Sequence, residues 1–161
     1  FFMSTAANPL LQKFDLKDQA VPFHLIQTAH YIPAVHEAIK ESKAKLEVIK
    51  NQKDITFENS ILALEQISET VDRISGIYFN LFSAEANDEH QKLAQEISPI
   101  LSAFSSDISL DSEVFAKIKF VYDNRTQLKL TGEDLKLTEK HKNLNFLLNK
   151  QIFKTNYTIN L

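Results

Sequence analysis

The sequence predicts an all-α protein, an antiparallel bundle of about five helices that follows an irregular N-terminal lead-in. Apolar residues recur at steps of three and four, the spacing that places them on one face of a helix. Glycine is scarce, with two among 161 residues, and tight β-hairpin turns usually require it. The stretches between the periodic segments are short, which favours antiparallel packing of neighbouring helices.

Length and composition fit one globular domain. Of the 161 residues, 43% are hydrophobic and 24% are charged, close to the averages for folded domains. We distinguish an irregular lead-in over residues 1–22, a helical domain over residues 23–148 and an atypical tail over residues 149–161. Pro9 and Pro22 each favour an extended residue before them in the lead-in, whereas the tail shows no helical phase.

The first two predicted helices carry the clearest periodicity. The first runs from about Ala29 to Asn51, with Pro33 in its first turn, where the missing N–H loses no hydrogen bond. The second begins after Thr56, a good N-cap, and continues to about Ala86. Its last turns, Ile77–Phe82, are apolar on nearly every side, which predicts burial on all sides.

Three further helices follow. Asn87 is predicted to cap the third, and Pro99 in its middle is expected to kink it. Asp111 or Ser112 starts the fourth, and Thr131 opens the fifth as part of a variant capping box.

Charge and composition exclude several classes of partner. The net charge is −3 with both signs interleaved, which argues against nucleic acid because phosphate binding requires a basic patch. The apolar runs are too short to span a bilayer, so no membrane is expected, and Phe1-Phe2-Met3 lacks the features of a signal peptide. The absence of cysteine excludes disulfides, thiolate zinc sites and a cysteine nucleophile. We expect a cytoplasmic location.

One segment approaches a catalytic motif. His36-Glu37-Ala38-Ile39-Lys40 matches the HExxH zinc signature except at its last position. In that signature two histidines at i and i+4 hold the metal and the glutamate activates water. Lys40 repels a dication, and His36 alone does not supply the three protein ligands of a catalytic site. We interpret the segment as a polar helix face, and we predict no catalytic and no metal-binding residue in the chain; the substrate-binding residues stay unknown.

The other polar candidates are interpreted as structural. His24 and His30 straddle the start of the first helix without a nearby carboxylate cluster, so capping or packing is favoured over metal binding. Glu58 and Glu65 lack the apolar surroundings that raise a carboxyl pKa. An aromatic cluster of Tyr78, Phe79 and Phe82 is compatible with a ligand pocket, but core or interface packing is favoured.

Several short strings occur in an informative order: Asn8–Leu11, Pro22-Phe23, His30–Ala34, Thr56–Ile61, Ala63–Glu65, Phe79–Leu81, Ala86–Asp88 and Ile97–Pro99. Together they resemble the opening of the thimet-oligopeptidase-like zinc metallopeptidases, in particular the branch of bacterial oligopeptidase A and peptidyl-dipeptidase. The resemblance extends from Asn8 to about Leu137, and from about Asn143 the sequence departs from the family's continuation.

This resemblance implies a protein with zinc-dependent peptidase function whose catalytic HExxH helix and glutamate ligand lie downstream of the matched stretch. Zn²⁺ is therefore expected in the full-length enzyme and no cofactor in this chain. In that family the N-terminal helices form one wall of a deep channel that admits only short peptides. The implied partners are the catalytic half of the same polypeptide and short peptide substrates. Surplus apolar surface at Ile77–Phe82 would make the chain self-associate when alone.

Two interpretations stay open from the sequence. In the first, the chain is an N-terminal helical fragment of an oligopeptidase, and a truncated gene, a frameshift or a cut sequence accounts for its length. In the second, it is a stand-alone helical protein-interaction domain without enzymatic activity.

Because Lys40 replaces the second histidine, we predict that the purified chain neither retains zinc after dialysis nor cleaves a quenched fluorescent peptide. Metal analysis and a fluorescence assay test this. Stoichiometric zinc, or turnover that persists in the His36→Ala variant, would contradict the interpretation.

Overall fold

The computed structural model describes residues 8–12, 20–84 and 87–144. These residues form helices and no β-strand, so the predicted all-α class is confirmed. The helices are α1 (Tyr31–Lys50), α2 (Ala63–Gln66), α3 (Glu69–Ala84), α4 (Asp88–Ser109), α5 (Ser112–Asp123) and α6 over residues 132–144. Short 3₁₀ turns lie at Pro9–Leu11, Phe23–Leu25 and Thr28–His30, and Glu58–Leu62 is a π-helical segment.

The chain divides into two compact units. The first consists of Phe1–Lys45 and Ile67–Ser102, and the second of Leu46–Gln66 and Ala103–Leu161. Helices α1 and α4 therefore each contribute to both units. The boundaries expected at residues 22 and 148 stay predictions, and the predicted tail lies outside the described residues. No helix in the described ranges combines the length and the apolar character needed to cross a membrane.

The first unit has its core where the end of α3 meets the starts of α1 and α4. Tyr31, in the first turn of α1, and Tyr78, near the end of α3, are both fully buried. The Tyr78 hydroxyl donates to the backbone oxygen of His90, in the first turn of α4, at 2.6 Å. This contact joins the end of α3 to the start of α4 across a short connection; the antiparallel packing of neighbours stays a prediction. The other buried apolar residues of this unit include Leu10, Ala34, Val35, Ala38, Val71, Ile74, Ile77, Leu93 and Ile97.

The predicted burial of Ile77–Phe82 on all sides was wrong. Ile77 and Tyr78 are buried with Ile74, but Phe79 is 39% exposed and Asn80 is exposed. Residues at i, i+3 and i+4 share one helix face, so the side chains between them point away from the core. Helix α3 consequently buries one face and presents an aromatic side chain on another.

Residues 8–12 of the predicted lead-in are hydrogen-bonded to other residues of the first unit. Asn8 caps the Pro9–Leu11 turn, because its side-chain oxygen accepts from the Leu10 N–H at 3.0 Å, and its amide donates to the His30 carbonyl at 2.8 Å. Arg73 of α3 donates to the carbonyls of Leu10 and Gln12 at 3.0 and 3.1 Å. The side chain of Leu10 is fully buried. Residues 8–12 thus form an ordered 3₁₀ turn within a segment expected to be irregular.

The predicted second helix begins as expected and is then interrupted. Thr56 and Asn59 cap it reciprocally, since the Thr56 hydroxyl accepts from the Asn59 N–H at 3.2 Å and the Asn59 side chain accepts from the Thr56 N–H at 2.9 Å. The π-helical segment follows, and the chain turns at Ile67 and Ser68 before α3. The Ser68 hydroxyl donates to the Asp72 carboxylate at 2.6 Å, which links the turn to the first turn of α3.

The second unit is held by polar contacts at helix ends. The π-helical segment packs on α5, and Lys117, which is buried on α5, donates to the Gln52 carbonyl at 2.7 Å. Glu65 of α2 lies 2.6 Å from His141 and 3.4 Å from Lys140, so α6 is tied to α2. The carboxylate of Glu65 is therefore paired with Lys140 and lies beside the imidazole of His141, both on another helix.

Asp111 caps α5, as the sequence predicted. Its carboxylate accepts from the N–H groups of Glu113 and Val114 at 2.9 and 3.1 Å and from Lys50 Nζ at 3.0 Å. Partial burial alone would raise the pKa of Asp111, but the hydrogen bonds from Lys50, Val114 and Glu113 outweigh it, so the pKa lies below its ordinary value. The same contacts hold the pKa of Lys50 above its ordinary range.

We predict that Asp111→Ala lowers the free energy of unfolding by about 1–2 kcal/mol through loss of the cap. Asp111→Asn retains a capping side chain and isolates the contribution of the charge. Because the pKa of Asp111 is lowered on folding, that contribution is present above about pH 4 and is lost as the pH falls through the folded-state pKa. Urea unfolding at pH 7 and pH 2.5 tests this. A difference between wild type and Asp111→Asn that is unchanged at pH 2.5 would contradict it.

Candidate binding pocket

The polar residues of the HExxH-like segment lie on the outer face of α1, whereas Ala38 is buried. His36 and Lys40 are exposed, and Lys40 Nζ pairs with Glu37 at 3.4 Å, so the predicted polar face is confirmed. Within residues 8–12, 20–84 and 87–144, no group of three or more histidine, cysteine, aspartate or glutamate side chains could hold a metal ion. The side chains that the structure describes do not fit a zinc site.

His30 has the capping role that the sequence favoured. Its Nδ1 accepts a hydrogen bond from the Gln27 N–H at 3.0 Å, which closes the Thr28–His30 turn. An accepting Nδ1 carries no proton, so a neutral ring with its proton on Nε2 fits this contact. His24 lies exposed in the preceding 3₁₀ turn, Phe23–Leu25.

The aromatic residues near the end of α3 pack together as predicted. The Tyr78 ring meets Tyr31 edge-on, with centroids 5.2 Å apart and planes at 68°, and meets Phe79 edge-on at 5.1 Å. Phe82 lies over Tyr78 at 6.2 Å with nearly parallel planes. Such geometries are favourable aromatic contacts, and Tyr78 is fully buried. Tyr78 therefore belongs to the core, and Phe79 and Phe82 pack on it from the partly exposed side.

A pocket of about 400 Å³ lies beside the cluster. We call it the Tyr31 pocket, and it is lined by Phe23, His24, Ile26, Gln27, Thr28, Tyr31, Leu81 and His90. The 3₁₀ turns Phe23–Leu25 and Thr28–His30 contribute to its wall, together with one residue each from α3 and α4. Its size is within the range of small-molecule sites, and apolar walls with a few polar groups are typical of them.

The hydroxyl of Tyr31 is the unusual group of this pocket. The side chain is fully buried, and the hydroxyl has no hydrogen-bond partner among the described residues. Burial raises the pKa of Tyr31, and the neighbouring Tyr78 raises it further, so the hydroxyl stays protonated at neutral pH and can donate. The hydroxyl of the adjacent Tyr78 donates to the His90 carbonyl instead.

One hydrogen-bonded carboxylate lies next to a residue of the pocket wall. Thr28, on the turn before α1, donates its hydroxyl to Glu89 of α4. At the start of α4, the Asn87 side chain accepts from the His90 N–H at 2.9 Å, so Asn87 is the predicted cap. Each of the two contacts involves a residue that lines the pocket, Thr28 or His90.

The sequence singled out Tyr78, Phe79 and Phe82 but gave no sign of the Tyr31 pocket. In the sequence, Tyr31 was identified only as part of the string His30–Ala34, which carries the family resemblance. The His90 carbonyl of α4 pairs with the Tyr78 hydroxyl of α3 rather than with that of Tyr31. Hydrophobic periodicity does not predict which of two hydroxyls meets a carbonyl.

The chain is similar in sequence to bacterial peptidases. The chain is 38% identical over 138 residues to dipeptidyl carboxypeptidase of Salmonella typhimurium (strain LT2), a match covering 85% of the chain and 20% of that protein. It is 35% identical over 136 residues to the Escherichia coli (strain K12) dipeptidyl carboxypeptidase, with 84% and 20% covered. Oligopeptidase A of Escherichia coli is 29% identical over 100 residues, 62% of the chain and 14% of that protein. No family model matches.

These matches place the chain among the relatives of bacterial peptidases. The resemblance to the thimet-oligopeptidase-like family, which the sequence strings predicted, is confirmed by them. The chain spans about one fifth of the length of the dipeptidyl carboxypeptidases that it matches.

We predict that Tyr31→Phe does not destabilise the chain and raises its free energy of unfolding by about 1 kcal/mol, because a buried hydroxyl without a partner is removed. Tyr78→Phe is the matched control. It should lower the free energy of unfolding by about 1–2 kcal/mol, because the buried His90 carbonyl loses its donor.

Urea unfolding monitored by circular dichroism compares the two variants with wild type. Equal destabilisation by Tyr31→Phe and Tyr78→Phe would show that the Tyr31 hydroxyl has a partner in the folded chain.

Proposed function

We propose that the chain forms the helical, non-catalytic part of a zinc-dependent peptidase of the dipeptidyl carboxypeptidase and oligopeptidase A type. In this proposal it packs on the catalytic part of the same polypeptide and forms one wall of the channel that admits short peptides. The observation that carries the proposal is the extent of the match, which covers 85% of the chain but only 20% of the relative. Most of such a peptidase therefore corresponds to sequence outside this chain.

The chemistry of the described residues supports a role in shape rather than in bond cleavage. The metal-motif segment has one histidine, and Lys40 stands at the second ligand position. A zinc peptidase needs three protein ligands and an open coordination site, and we assign these to the catalytic part of the full-length enzyme.

Exposed apolar side chains support a docking role. In the first unit, Phe23, Leu25 and Phe79 are 50%, 55% and 39% exposed. In the second unit, Val48 and Phe120 are 62% and 44% exposed. Single exposed apolar residues are normal on a protein surface, but two half-exposed phenylalanines in one unit are suited to contact with another part of a polypeptide. The same surface would account for self-association of the isolated chain.

The polar face of α1 is suited to a channel wall. Glu37 pairs with Lys40, and Glu41 pairs with Lys45 at 2.6 Å, all within this helix. Exposed ion pairs of this kind contribute little to the stability of the chain. The fold therefore does not require these residues, and they can instead be suited to the peptide in the channel. A wall built this way selects peptides by size.

The test is a chimera in which this chain replaces the 136-residue region that it matches in Escherichia coli dipeptidyl carboxypeptidase. We predict that the chimera binds zinc and cleaves peptides. Within it, Phe79→Ala should weaken activity at least severalfold by loss of an apolar contact, whereas Asn80→Ala, at the neighbouring exposed position, should not.

Circular dichroism of the isolated chain carrying each substitution separates a docking defect from loss of folding. A chimera that folds and binds zinc but cleaves nothing would contradict the channel-wall role and favour a stand-alone interaction domain. Equal activity of both alanine variants would remove Phe79 from the docking surface.

A further inference from the structure

Two cations of the second unit lie on one tyrosine ring. Arg125, in the turn after α5, has its Cζ 4.3 Å from the centroid of the Tyr122 ring, and Lys142 of α6 has its Nζ 3.8 Å from the same centroid. A cation this close to an aromatic ring is attracted by it. The two charges are thereby held at most about 8 Å apart, the sum of these two distances.

Neither cation has a carboxylate partner among residues 8–12, 20–84 and 87–144. On the same helix, by contrast, Lys136 pairs with Glu133 at 3.1 Å. Glu139 lies three positions before Lys142, a spacing at which helical ion pairs form, yet the Lys142 ammonium lies on the Tyr122 ring instead. The ring carries no net charge, so the two positive charges are not compensated.

The hydrogen bonds of its turn fix the position of Arg125. Its Nη1 donates to the Tyr122 carbonyl at 2.8 Å, and its own carbonyl accepts from the Leu130 N–H at 2.9 Å. The first bond uses one N–H of a guanidinium that has several, so the others can donate to a ligand. Arg125, Tyr122 and Lys142 are all half-buried, and salt screens partly buried charges less than exposed ones.

We propose that Arg125 and Lys142 bind the phosphate group of a small molecule, with the ring of Tyr122 positioning both cations. A phosphate group carries roughly two negative charges at neutral pH, which matches two cations. Its oxygens can accept from the guanidinium and the ammonium at the same time. A carboxylate has one charge, and a guanidinium alone can bind both of its oxygens, so it would gain less from the ammonium.

The surroundings of the two cations favour a small ligand over a polyanion. On α6, Lys136 is already paired with Glu133, and on α5 Lys119 is paired with Asp123. A nucleic acid requires a broad basic patch or stripe, whereas two cations suffice for one phosphate group. That group can be free phosphate or part of a small organic ester. Phosphate binding here is independent of the proposed peptidase role.

The experiment titrates the purified, ¹⁵N-labelled chain by ¹H–¹⁵N NMR at about pH 7.5 and constant ionic strength, with inorganic phosphate, methyl phosphate and acetate as probes. We expect inorganic phosphate to bind roughly tenfold more tightly than acetate, and Lys142→Gln to remove that advantage, the effect of one charge-assisted hydrogen bond. Lys136→Gln is the matched control, because it removes the same charge from the same helix. It should leave the affinity for phosphate unchanged.

The role of the ring is tested at Tyr122 itself. Tyr122→Leu removes the ring and should weaken phosphate binding, whereas Tyr122→Phe retains the ring and should bind as wild type does. Circular dichroism establishes that each variant is folded.

The two phosphate probes distinguish the sources of the ligand. Equal binding of methyl phosphate and inorganic phosphate assigns the site to phosphate esters, and binding of inorganic phosphate alone assigns it to free phosphate. Three results would overturn the proposal: no phosphate binding by the folded chain, equal affinity for phosphate and acetate, or equal weakening by Lys142→Gln and Lys136→Gln.

Discussion

The hydroxyl of Tyr78 donates to the carbonyl of His90 at 2.6 Å, and the first unit depends on this contact. It joins the end of α3 to the start of α4, and the ring of Tyr78 at the same place packs edge-on against Tyr31 of α1. Three helices are thereby fixed at one end of the unit. The contact also satisfies one of the two buried tyrosine hydroxyls and leaves that of Tyr31 without a described partner.

The second unit is organised by charge and capping more than by aromatic packing. Lys50 at the end of α1 pairs with the carboxylate that caps α5, and Lys117 on α5 donates to a carbonyl just after α1. These contacts satisfy backbone groups at helix ends, where an α-helix leaves N–H and carbonyl groups unpaired. The unit also has an apolar core, in which Ile61, Val114 and Ile118 are buried, and these polar contacts stabilise the helix ends around it.

Local features of the fold could be predicted from the sequence, and features set by distant contacts could not. Thr56 and Asn87 were identified as caps, and Asp111 as one of two possible helix starts, because capping involves residues two or three apart. The turn at Ile67 and Ser68 was not predicted. Leu64, Ile67 and Val71 are all buried and keep the helical spacing across it, so the pattern shows no interruption. The exposure of Phe79 was also missed, because an apolar run does not show how many neighbouring elements surround it.

For function, the strings carrying the family resemblance were informative where the chemistry of single residues was not. These strings predicted the similarity to peptidases that the comparisons confirm. The HExxH-like segment predicted only a polar helix face. The most direct measurement of the central claim is sedimentation of this chain mixed with Escherichia coli dipeptidyl carboxypeptidase that lacks its matching 136 residues. Our account predicts a one-to-one complex that sediments faster than either component. Two species that sediment independently, each folded, would contradict it.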